Sequence, residues 1–537
     1  MGHLYFPYSA GEWPGGTVRL FDLLDAGATE HPDREFAWQR GRRLTYAEAA
    51  AATGRLAQGF IERGLAAGDR VAVVSRNSID VVLLYFAAAR AGLVLVPLNH
   101  RLAPPEWRYI VDDAQAKVLF AASEWVAAID GLRAGLPLVE RLVALDEAGR
   151  VGWEDYREWM TASPGTGSGR DVPAEHDAYQ MYTSGTTGHP KGAVLTHRAV
   201  VANAAQIAHV CDGRPGERSL VVAPLFHAAV VPSTFAPVFW GGSLVIVDRF
   251  DPAEVVRLLD EERIGFAVLV PAMLQACLAV PGAARRRYAH LRLVYYGSSP
   301  IAEVTLQRAI AAFRCGFVQS YGMTEAAQSL TFLTPADHQR ALAEDLRLLL
   351  AAGRPAADTE VRIVDATDAP VPDGSVGEVV AQGPQLMRGY WNLPEATAEA
   401  LRGGWLHTGD AGVMDSDGYL YIRDRVKDMI VSGGENIYPR EVEEVLSEHP
   451  AVLEVAVIGV PDQRWGETVK AVVAVREGMG VTPEQLVAFC RSRLGGFKLP
   501  RSVDFVQALP RNAVGKVLKW ELRERYWAGH ARDVAGA

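Results

Sequence analysis

The sequence contains little cysteine and no long apolar run, and each shortage excludes a class of protein. Its four cysteines are far apart and form no CxxC pair, which argues against a zinc site and a disulfide framework. Residues 1–10 lack a basic patch followed by an apolar run, so no secretory signal is expected. The longest apolar stretch, residues 81–97, is interrupted by Arg90 and is too short to cross a bilayer. We therefore expect a cytoplasmic protein without a membrane span.

Positive charge is also in short supply. The 537-residue chain has 54 basic and 64 acidic residues, a net charge of −10, so nothing favours nucleic acid as a partner. Hydrophobic residues (49%) and charged residues (22%) occur as in ordinary globular proteins, which excludes a disordered or fibrous chain. The length suffices for roughly three or four domain-sized units, or for two large ones.

Lysine is rarer still, since only seven of the 54 basic residues are lysine. Arginine replaces lysine on most solvated surfaces but not where a slim point charge is required. In so arginine-rich a chain, each lysine is a candidate functional position. The lysines are Lys117, Lys191, Lys427, Lys470, Lys498, Lys516 and Lys519.

The first four-fifths of the chain alternates short apolar runs with amphipathic stretches. The runs Val71–Val74 and Leu93–Val96 flank Ile79–Arg90, which has helical spacing. Later apolar runs are Leu220–Ala223, Leu244–Val247, Ala267–Val270 and Leu293–Tyr296. Such runs, separated by helices, predict buried and largely parallel strands. The fold class is therefore α/β, with helices covering β-sheets.

The pattern changes after Gly353, where strand-like runs alternate with clusters of proline, glycine and aspartate. Glu360–Val364 and Gly377–Val380 predict strands of a small β-rich subdomain. This subdomain would complete the large N-terminal domain, which we place at residues 1–424.

The last part of the chain again alternates strands and helices. Thr482 and Gln485 form a capping-box pattern with Pro483 at the first helical position, which predicts a helix start. The predicted elements are the helices Pro439–Ser447 and Pro483–Leu494 and the strands Val452–Val460 and Val469–Val475. We therefore predict a small α+β C-terminal domain over residues 425–537.

The most unusual segment is Tyr182-Thr183-Ser184-Gly185-Thr186-Thr187-Gly188-His189-Pro190-Lys191-Gly192, with three glycines, four serine or threonine hydroxyls and a lysine in eleven residues. Glycines let the backbone turn sharply and expose its N–H groups, hydroxyls add donors, and the lysine adds a point charge. A polyphosphate needs this set of groups. The spacing differs from GxxxxGK[ST], so this is not a Walker A loop. The predicted phosphate-binding residues are Thr183, Ser184, Gly185, Thr186, Thr187, Gly188 and Lys191.

This segment resembles the phosphate loop of the adenylate-forming enzymes: acyl-CoA synthetases, amino-acid adenylation domains and luciferases. Further motifs of that superfamily follow in order over nearly the whole chain. They are Phe226-His227, Gly297-Ser298-Ser299-Pro300, Tyr321-Gly322-Met323-Thr324-Glu325, His407-Thr408-Gly409-Asp410, Arg425-Val426-Lys427-Asp428, Ser432-Gly433-Gly434-Glu435-Asn436-Ile437 and Pro510-Arg511-Asn512-Ala513-Val514-Gly515-Lys516. The chain is therefore identified as a member of the superfamily, in the acyl-CoA synthetase branch.

The resemblance assigns an adenine site to the end of the large domain. It implies that Tyr321, followed by Gly322, stacks its ring on adenine, for which an aromatic face is suited. The turn Gly297, Ser298 and Ser299 would lie on the other side of the base.

Four further residues take phosphate, ribose and cation roles by the same resemblance. Thr324 would donate to an oxygen of the α-phosphate. Glu325 offers a hard oxygen ligand for Mg²⁺, which would bridge phosphate oxygens of ATP. Asp410 would accept hydrogen bonds from two ribose hydroxyls, and Arg425 would reach ribose or phosphate.

The C-terminal domain is implied to be a mobile lid with two poses. In one pose Lys516 bridges the substrate carboxylate and the α-phosphate during adenylation. In the other, Gly433 and Gly434 leave room for the pantetheine arm of the thiol substrate. Lys427 matches the hinge position between the poses. One departure is Asp424, where many relatives have glycine.

The implied reaction joins a carboxylic acid to ATP, giving acyl-AMP and pyrophosphate, and then transfers the acyl group to a thiol. Amino-acid adenylation domains generally place an aspartate where this chain reads Phe226-His227, whereas residues 224–237 hold no carboxylate. A buried ammonium would require such a partner. We therefore favour apolar acids, fatty or aromatic, and a place in fatty acid metabolism. The predicted pocket residues are His227, as gate, and Val230, Val231, Tyr296, Ala326 and Ala327, with Tyr295 as an alternative to Tyr296 for limiting the depth.

Two acceptors stay open at this stage. CoA is favoured because the large domain shows no obvious insertion around residues 361–387 of the kind that restrains fatty acyl-AMP ligases. The alternative is a stand-alone enzyme that loads the phosphopantetheine of an acyl carrier protein. The intact motif residues argue against a non-catalytic relative. We expect a monomer or a homodimer.

Overall fold

The computed structural model of the chain describes residues 18–146, 149–161, 169–183, 190–299, 301–425, 428–432, 435–462, 465–491, 493–511 and 517–527. Its first part alternates strands and helices as the apolar pattern predicts. The elements are α1 (Leu20–Glu30), β1 (Glu35–Gln39), β2 (Arg42–Thr45), α2 (Tyr46–Glu62), β3 (Arg70–Val74), α3 (Ile79–Arg90), β4 (Val94–Leu98), α4 (Pro104–Asp113), β5 (Ala116–Ala121), α5 (Ser123–Leu132), β6 (Arg141–Ala144), β7 (Glu154–Asp155), α6 (Tyr156–Met160) and β8 (Asp177–Thr183).

The alternation continues up to residue 355. The elements are β9 (Lys191–Thr196), α7 (His197–Val210), β10 (Arg218–Val221), α8 (Ala236–Phe239), β11 (Ser243–Ile246), α9 (Pro252–Glu261), β12 (Ile264–Val268), α10 (Pro271–Ala279), β13 (Leu293–Gly297), α11 (Glu303–Phe313), β14 (Gly316–Tyr321), β15 (Thr331–Leu333), α12 (Pro335–Ala343) and β16 (Arg354–Pro355). Strand β12 begins earlier than the predicted run at Ala267, because Ile264 already pairs with Arg218 of β10.

The β-rich part and the C-terminal part follow. The elements are β17 (Glu360–Val364), β18 (Gly377–Gln382), β19 (Gly389–Tyr390), α13 (Pro394–Ala400), β20 (Leu406–Met414), β21 (Leu420–Arg425), β22 (Ile430–Ser432), β23 (Glu435–Ile437), α14 (Pro439–Ser447), β24 (Val452–Asp462), β25 (Gly466–Val475), α15 (Pro483–Arg491), β26 (Ser502–Val506) and α16 (Lys519–Trp527). The predicted capping box is confirmed: the N–H of Gln485 donates to Thr482 Oγ1, and that of Thr482 to Gln485 Oε1.

Within the described ranges, two large sheets carry the N-terminal body. The nine-stranded sheet runs β16-β15-β14-β13-β12-β10-β11-β1-β2, and the eight-stranded sheet runs β19-β9-β8-β4-β3-β5-β6-β7. Their central strands are parallel. The main hydrophobic core draws side chains from both sheets and from α2, α3 and α7, while α9–α11 and α4–α5 cover the outer faces. The predicted α/β architecture is confirmed.

Two smaller sheets complete the described chain. The four-stranded sheet β17-β18-β20-β21 has its own apolar cluster. The sheet β23-β22-β25-β24, to which β26 adds beside β25, packs with the C-terminal helices around two further clusters. The boundary between residues 424 and 425 stays a prediction. No helix among the described residues is long and apolar enough to span a membrane.

Candidate active site

The predicted phosphate loop connects two antiparallel strands of the eight-stranded sheet. Strands β8 and β9 pair so that Thr183 lies opposite Lys191, and Thr183 Oγ1 donates to the Lys191 carbonyl over 3.5 Å. The hairpin register therefore brings together the first and last predicted phosphate-binding residues. The residues between them that we predicted, Ser184, Gly185, Thr186, Thr187 and Gly188, lie outside the described ranges.

A short segment, residues 387–391, runs alongside this hairpin at the edge of the sheet and is called the strap below. Its strand β19 pairs antiparallel with β9. The Tyr390 hydroxyl donates to Glu325 Oε1 over 2.7 Å, and the Lys191 ammonium lies 5.1 Å from the centre of the Tyr390 ring. Two predicted site residues, Lys191 and Glu325, thus meet on one tyrosine. Our sequence reasoning missed Tyr390; the only signal was a glycine followed by two aromatic residues.

Glu325 lies in a 3₁₀ turn, Thr324–Ala326, directly after β14. The Met387 N–H donates to the Glu325 carbonyl over 2.7 Å, which ties this turn to the strap. The Glu325 side chain is buried, and the described residues contain no group of three histidine, cysteine or acidic ligands that could hold a metal ion. A single carboxylate suits Mg²⁺, which usually binds one or two carboxylates together with substrate phosphates. The residues present therefore fit MgATP better than a protein-held metal ion.

The predicted adenine and ribose residues also meet. The Tyr321 hydroxyl, at the end of β14, donates to Asp410 Oδ2 of β20 over 2.7 Å. Strands β13 and β14 are parallel and end at the same edge, with Gly297 opposite Ser320. A side chain at position 297 would clash with the Ser320 carbonyl, so the close approach of the two strands requires glycine.

Four more predicted residues have defined positions around this edge. Ser298 adopts a left-handed conformation with φ of 69°, and Ser298 and Ser299 are both exposed. Gly322 follows β14, where a side chain would clash with the Gln328 carbonyl. The backbone of Arg425 lies opposite Asp410 in the β20–β21 pair.

His227 lies in a loop that the side chains of Asn77 and Tyr85 hold by hydrogen bonds. The Leu225 N–H donates to Asn77 Oδ1 over 2.9 Å, and the Tyr85 hydroxyl donates to the Leu225 carbonyl over 2.7 Å. Burial lowers the pKa of His227 to about 4, so the ring is neutral near pH 7. Its Nδ1 accepts the Ala229 N–H. Asn77 and Tyr85 were not predicted, because only the tertiary structure brings them to this loop.

The predicted acid-pocket residues divide between different cores. Val230, Val231 and Ala327 belong to the main core, as does Tyr295. Tyr296 points to the opposite face of β13, since successive strand residues alternate between the faces of a sheet.

On that opposite face, the Tyr296 hydroxyl lies 2.8 Å from His338 Nε2, in the core that α9–α11 cover. Ala326 packs under the four-stranded sheet. The side chains of Tyr296 and Ala326 therefore lie in other apolar clusters than those of Val230, Val231 and Ala327. Tyr295, the alternative to Tyr296, lies on their side, and its hydroxyl donates to Gln328 Oε1 over 2.7 Å.

Four predicted residues of the C-terminal part lie outside the described ranges: the hinge Lys427, the pantetheine-site glycines Gly433 and Gly434, and the adenylation lysine Lys516. Their roles stay predictions.

The chain is similar to known proteins over most of its length. The model of the AMP-binding enzyme family matches residues 24–391, and that of the AMP-binding enzyme C-terminal domain matches residues 441–516. The fatty acid–[acyl-carrier-protein] ligase ScoC of Streptomyces coeruleorubidus is 39% identical over 92% of this chain and 94% of its own length. The feruloyl-CoA synthase of an Amycolatopsis species is 40% identical over 96% of this chain and 99% of its own.

A solved structure gives the same result for the fold. ATP-bound MatB from Rhodopseudomonas palustris superposes with a TM-score of 0.87 at 31% identity, covering 96% of this chain and all (100%) of that one. The family match extends over more than half of the chain. The protein therefore belongs to the AMP-binding enzyme family, in the acyl-CoA synthetase branch of the adenylate-forming enzymes.

Proposed function

We propose that the protein activates a carboxylic acid with ATP and transfers the acyl group to the thiol of CoA. The observation that carries this proposal is the contact of Lys191 and Glu325 with one tyrosine, Tyr390. It places a cation and a carboxylate of two separate motifs at one point, as the polyphosphate of MgATP requires.

In the first step, a carboxylate oxygen of the acid attacks the α-phosphorus of ATP, and the bond to pyrophosphate breaks. Lys191 and Thr183 would bind phosphate oxygens, with Thr324 near the α-phosphate. Mg²⁺, held by Glu325, would neutralise charge on the phosphate oxygens when bound. Tyr321 and Asp410 would bind the adenosine, for which their mutual hydrogen bond would have to rearrange.

In the second step, the thiol sulfur attacks the acyl carbonyl carbon, the bond to AMP breaks, and the thiol proton is released. CoA is the acceptor that we propose first. The alternative, a carrier-protein phosphopantetheine, is supported by the name of the ScoC relative, whereas the feruloyl-CoA synthase name supports CoA. A cytoplasmic location is part of the proposal because ATP and CoA are available there.

The proposed acid is apolar, fatty or aromatic. No carboxylate occurs in residues 224–237, and His227 is neutral, so this wall offers no partner to an ammonium group. Val230, Val231 and Ala327 would line the pocket, with Tyr295 limiting its depth. The names of the two relatives, a fatty acid ligase and a feruloyl-CoA synthase, favour the same two classes.

The test is acid-dependent pyrophosphate release from ATP and Mg²⁺ across aliphatic, aromatic and β-amino acids, with and without CoA. We expect turnover with one apolar class that rises sharply on adding CoA. Slow release that ignores CoA would favour the carrier protein. No release with any acid would overturn the proposal.

A pair of lysine variants sharpens this test. Lys191→Met should lower acid-dependent pyrophosphate release by about 100-fold or more, since it removes a charge at the phosphates. Lys117→Met is the matched control. Lys117 lies in β5, four strands away from β9 in the same sheet, and its ammonium pairs with Asp69 over 3.0 Å. Equal losses in both variants would argue against a phosphate role for Lys191.

The two poses of the C-terminal domain are also part of the proposal. Lys516→Ala should abolish acyl-AMP formation but largely spare thioester formation from supplied acyl-AMP. Lys427→Pro should do the reverse, because it blocks the dihedral change at the hinge. Equal loss of both half-reactions in the Lys516 variant, or retained thioester formation in the Lys427 variant, would contradict the assigned roles.

A further inference from the structure

Tyr390 contacts two motif residues that are far apart in the sequence, and each contact uses a different part of the side chain. The hydroxyl donates to Glu325 Oε1 over 2.7 Å, and the ring lies 5.1 Å from the Lys191 ammonium. A phenol is a neutral donor, so it can orient a carboxylate without cancelling its charge. The face of an aromatic ring attracts an ammonium group. One side chain therefore holds a carboxylate and a cation in defined places.

The backbone of the strap is fixed on both sides of this tyrosine. Before it, the Met387 N–H donates to the Glu325 carbonyl over 2.7 Å. After it, the Trp391 N–H donates to the Gly192 carbonyl over 2.8 Å, next to Lys191. The strap is thus bonded directly to the neighbourhoods of both residues that Tyr390 contacts.

Side chains of the strap anchor it to the sheet below. Arg388 pairs with the buried Asp177 of β8 over 2.8 Å. The centre of the Trp391 ring lies 3.4 Å from the Arg70 guanidinium carbon. The indole N–H of Trp391 donates to the Asp113 carbonyl over 3.0 Å. These contacts hold the strap rigidly, and a rigid support is what a preorganised site requires.

We propose that Tyr390 is a positioning residue for MgATP: its hydroxyl orients the Glu325 carboxylate toward the cation, and its ring sets the position of the Lys191 ammonium. The inference rests on the proposed function, because it takes Glu325 as the cation ligand and Lys191 as a phosphate ligand. With Oε1 held by the phenol, the second oxygen of Glu325 is the one offered to the cation. The strap thereby couples the phosphate hairpin to the turn that carries Glu325.

The test measures ATP affinity by calorimetry, in Mg²⁺ and in EDTA, for the wild-type protein and for Tyr390→Phe and Tyr390→Leu. Tyr390→Phe removes only the hydroxyl, so ATP affinity in Mg²⁺ should fall about tenfold while affinity in EDTA stays unchanged. Tyr390→Leu also removes the ring, so the affinity in EDTA should fall as well.

Tyr419→Phe is the matched control. Its hydroxyl also donates to a buried carboxylate, Asp337 Oδ1, over 2.5 Å, but this pair contacts none of the predicted site residues in the described contacts. We expect unchanged ATP affinity in both conditions for this variant. The Mg²⁺ concentration for half-maximal pyrophosphate release should rise in Tyr390→Phe and not in Tyr419→Phe.

The positioning role would be wrong if Tyr390→Phe lowered ATP affinity equally in Mg²⁺ and EDTA, or changed only the melting temperature. Failure of the proposed function looks different. In that case the wild-type protein would bind MgATP but would release no pyrophosphate with any of the acids. The binding difference between Tyr390→Phe and Tyr419→Phe would still support the positioning role.

Discussion

Glu325 and Asp337 are both buried carboxylates that accept a hydrogen bond from a tyrosine, but only Glu325 lies at the candidate site. Glu325 accepts from Tyr390 over 2.7 Å, and Asp337 accepts from Tyr419 over 2.5 Å. Around Asp337, the Arg354 guanidinium lies 3.3 Å from the carboxylate. The ring of Tyr390, the tyrosine that donates to Glu325, lies 5.1 Å from the Lys191 ammonium.

Under the proposed function, this difference separates a carboxylate that stabilises the fold, Asp337, from one that is available to a ligand, Glu325. Burial alone would raise the pKa of Asp337, but hydrogen bonds from Tyr419 and Thr334 and the charge of Arg354 outweigh it, and the pKa is lowered. The charge of Asp337 is therefore compensated within the protein. Glu325 is oriented by a neutral phenol instead, which leaves its charge for a bound cation.

The largest effect is expected on catalysis, from substitution of Glu325. Glu325→Gln keeps the shape and the Tyr390 contact but removes the charge. Acid-dependent pyrophosphate release should fall by about 100- to 1,000-fold, the usual range for loss of one electrostatic group at a reacting phosphate or oxyanion. Melting temperature, measured in the same preparation, should change little. Retained activity would show that Glu325 is structural, like Asp337.

The second largest effect is expected on stability, from substitution of Asp337. Asp337→Ala removes the acceptor of Tyr419, the partner of Arg354 and the side-chain half of the α12 capping box, in which the Thr334 N–H donates to Asp337 Oδ2. The free energy of unfolding should fall by about 3 kcal/mol, since a buried polar partner and half of a capping box are both lost. Denaturant unfolding measures this.

In the same variant, the Mg²⁺ dependence of pyrophosphate release should stay unchanged below the melting temperature. A shift in that dependence would contradict the separation of the two carboxylates.

The smallest effect concerns pH and the structural side of the comparison. Burial lowers the pKa of His338 to about 4; its Nδ1 donates to the Thr334 carbonyl and its Nε2 accepts from Tyr296. The unfolded chain binds a proton near pH 6.5 and the folded protein only near pH 4, so stability falls as pH drops through this window. Each such histidine contributes about 1.4 kcal/mol per pH unit.

Melting temperatures between pH 4 and 7 check this. Burial also lowers the pKa of His100, His197 and His227, so the wild-type slope should combine these three residues with His338. His338→Gln, which keeps a donor and an acceptor, should have a shallower slope by the share of one proton. The same slope in both proteins would mean that His338 is not neutral in the folded state.

Local pattern was enough for most of the elements. Helices α3 and α14 have the predicted bounds, and the Thr482–Gln485 cap forms, because 3.6-residue periodicity and capping are properties of neighbouring residues. The motif order was likewise enough to identify the family. The strands β3, β17 and β24 also lie where the apolar runs predicted them.

The arrangement of the site was not accessible in this way. Tyr296 rather than Tyr295 was placed in the pocket, because the face of a strand depends on register with its neighbours, and one residue changes the face. Asn77, just before α3, and Tyr85, within α3, support the loop of His227 although both lie far earlier in the chain. No local signal reports such contacts.

The chemical roles of single residues could thus be predicted from the sequence, whereas the contacts between distant residues could not. Lys191, among glycines and hydroxyl side chains, predicts a phosphate contact from the sequence alone. Glu325, shortly after Tyr321, predicts a cation ligand in the same way. That Lys191 and Glu325 share Tyr390 depends on strand β19 pairing with β9. Such long-range pairing is selected by burial and hydrogen bonding over the whole fold, and sequence neighbours carry no record of it.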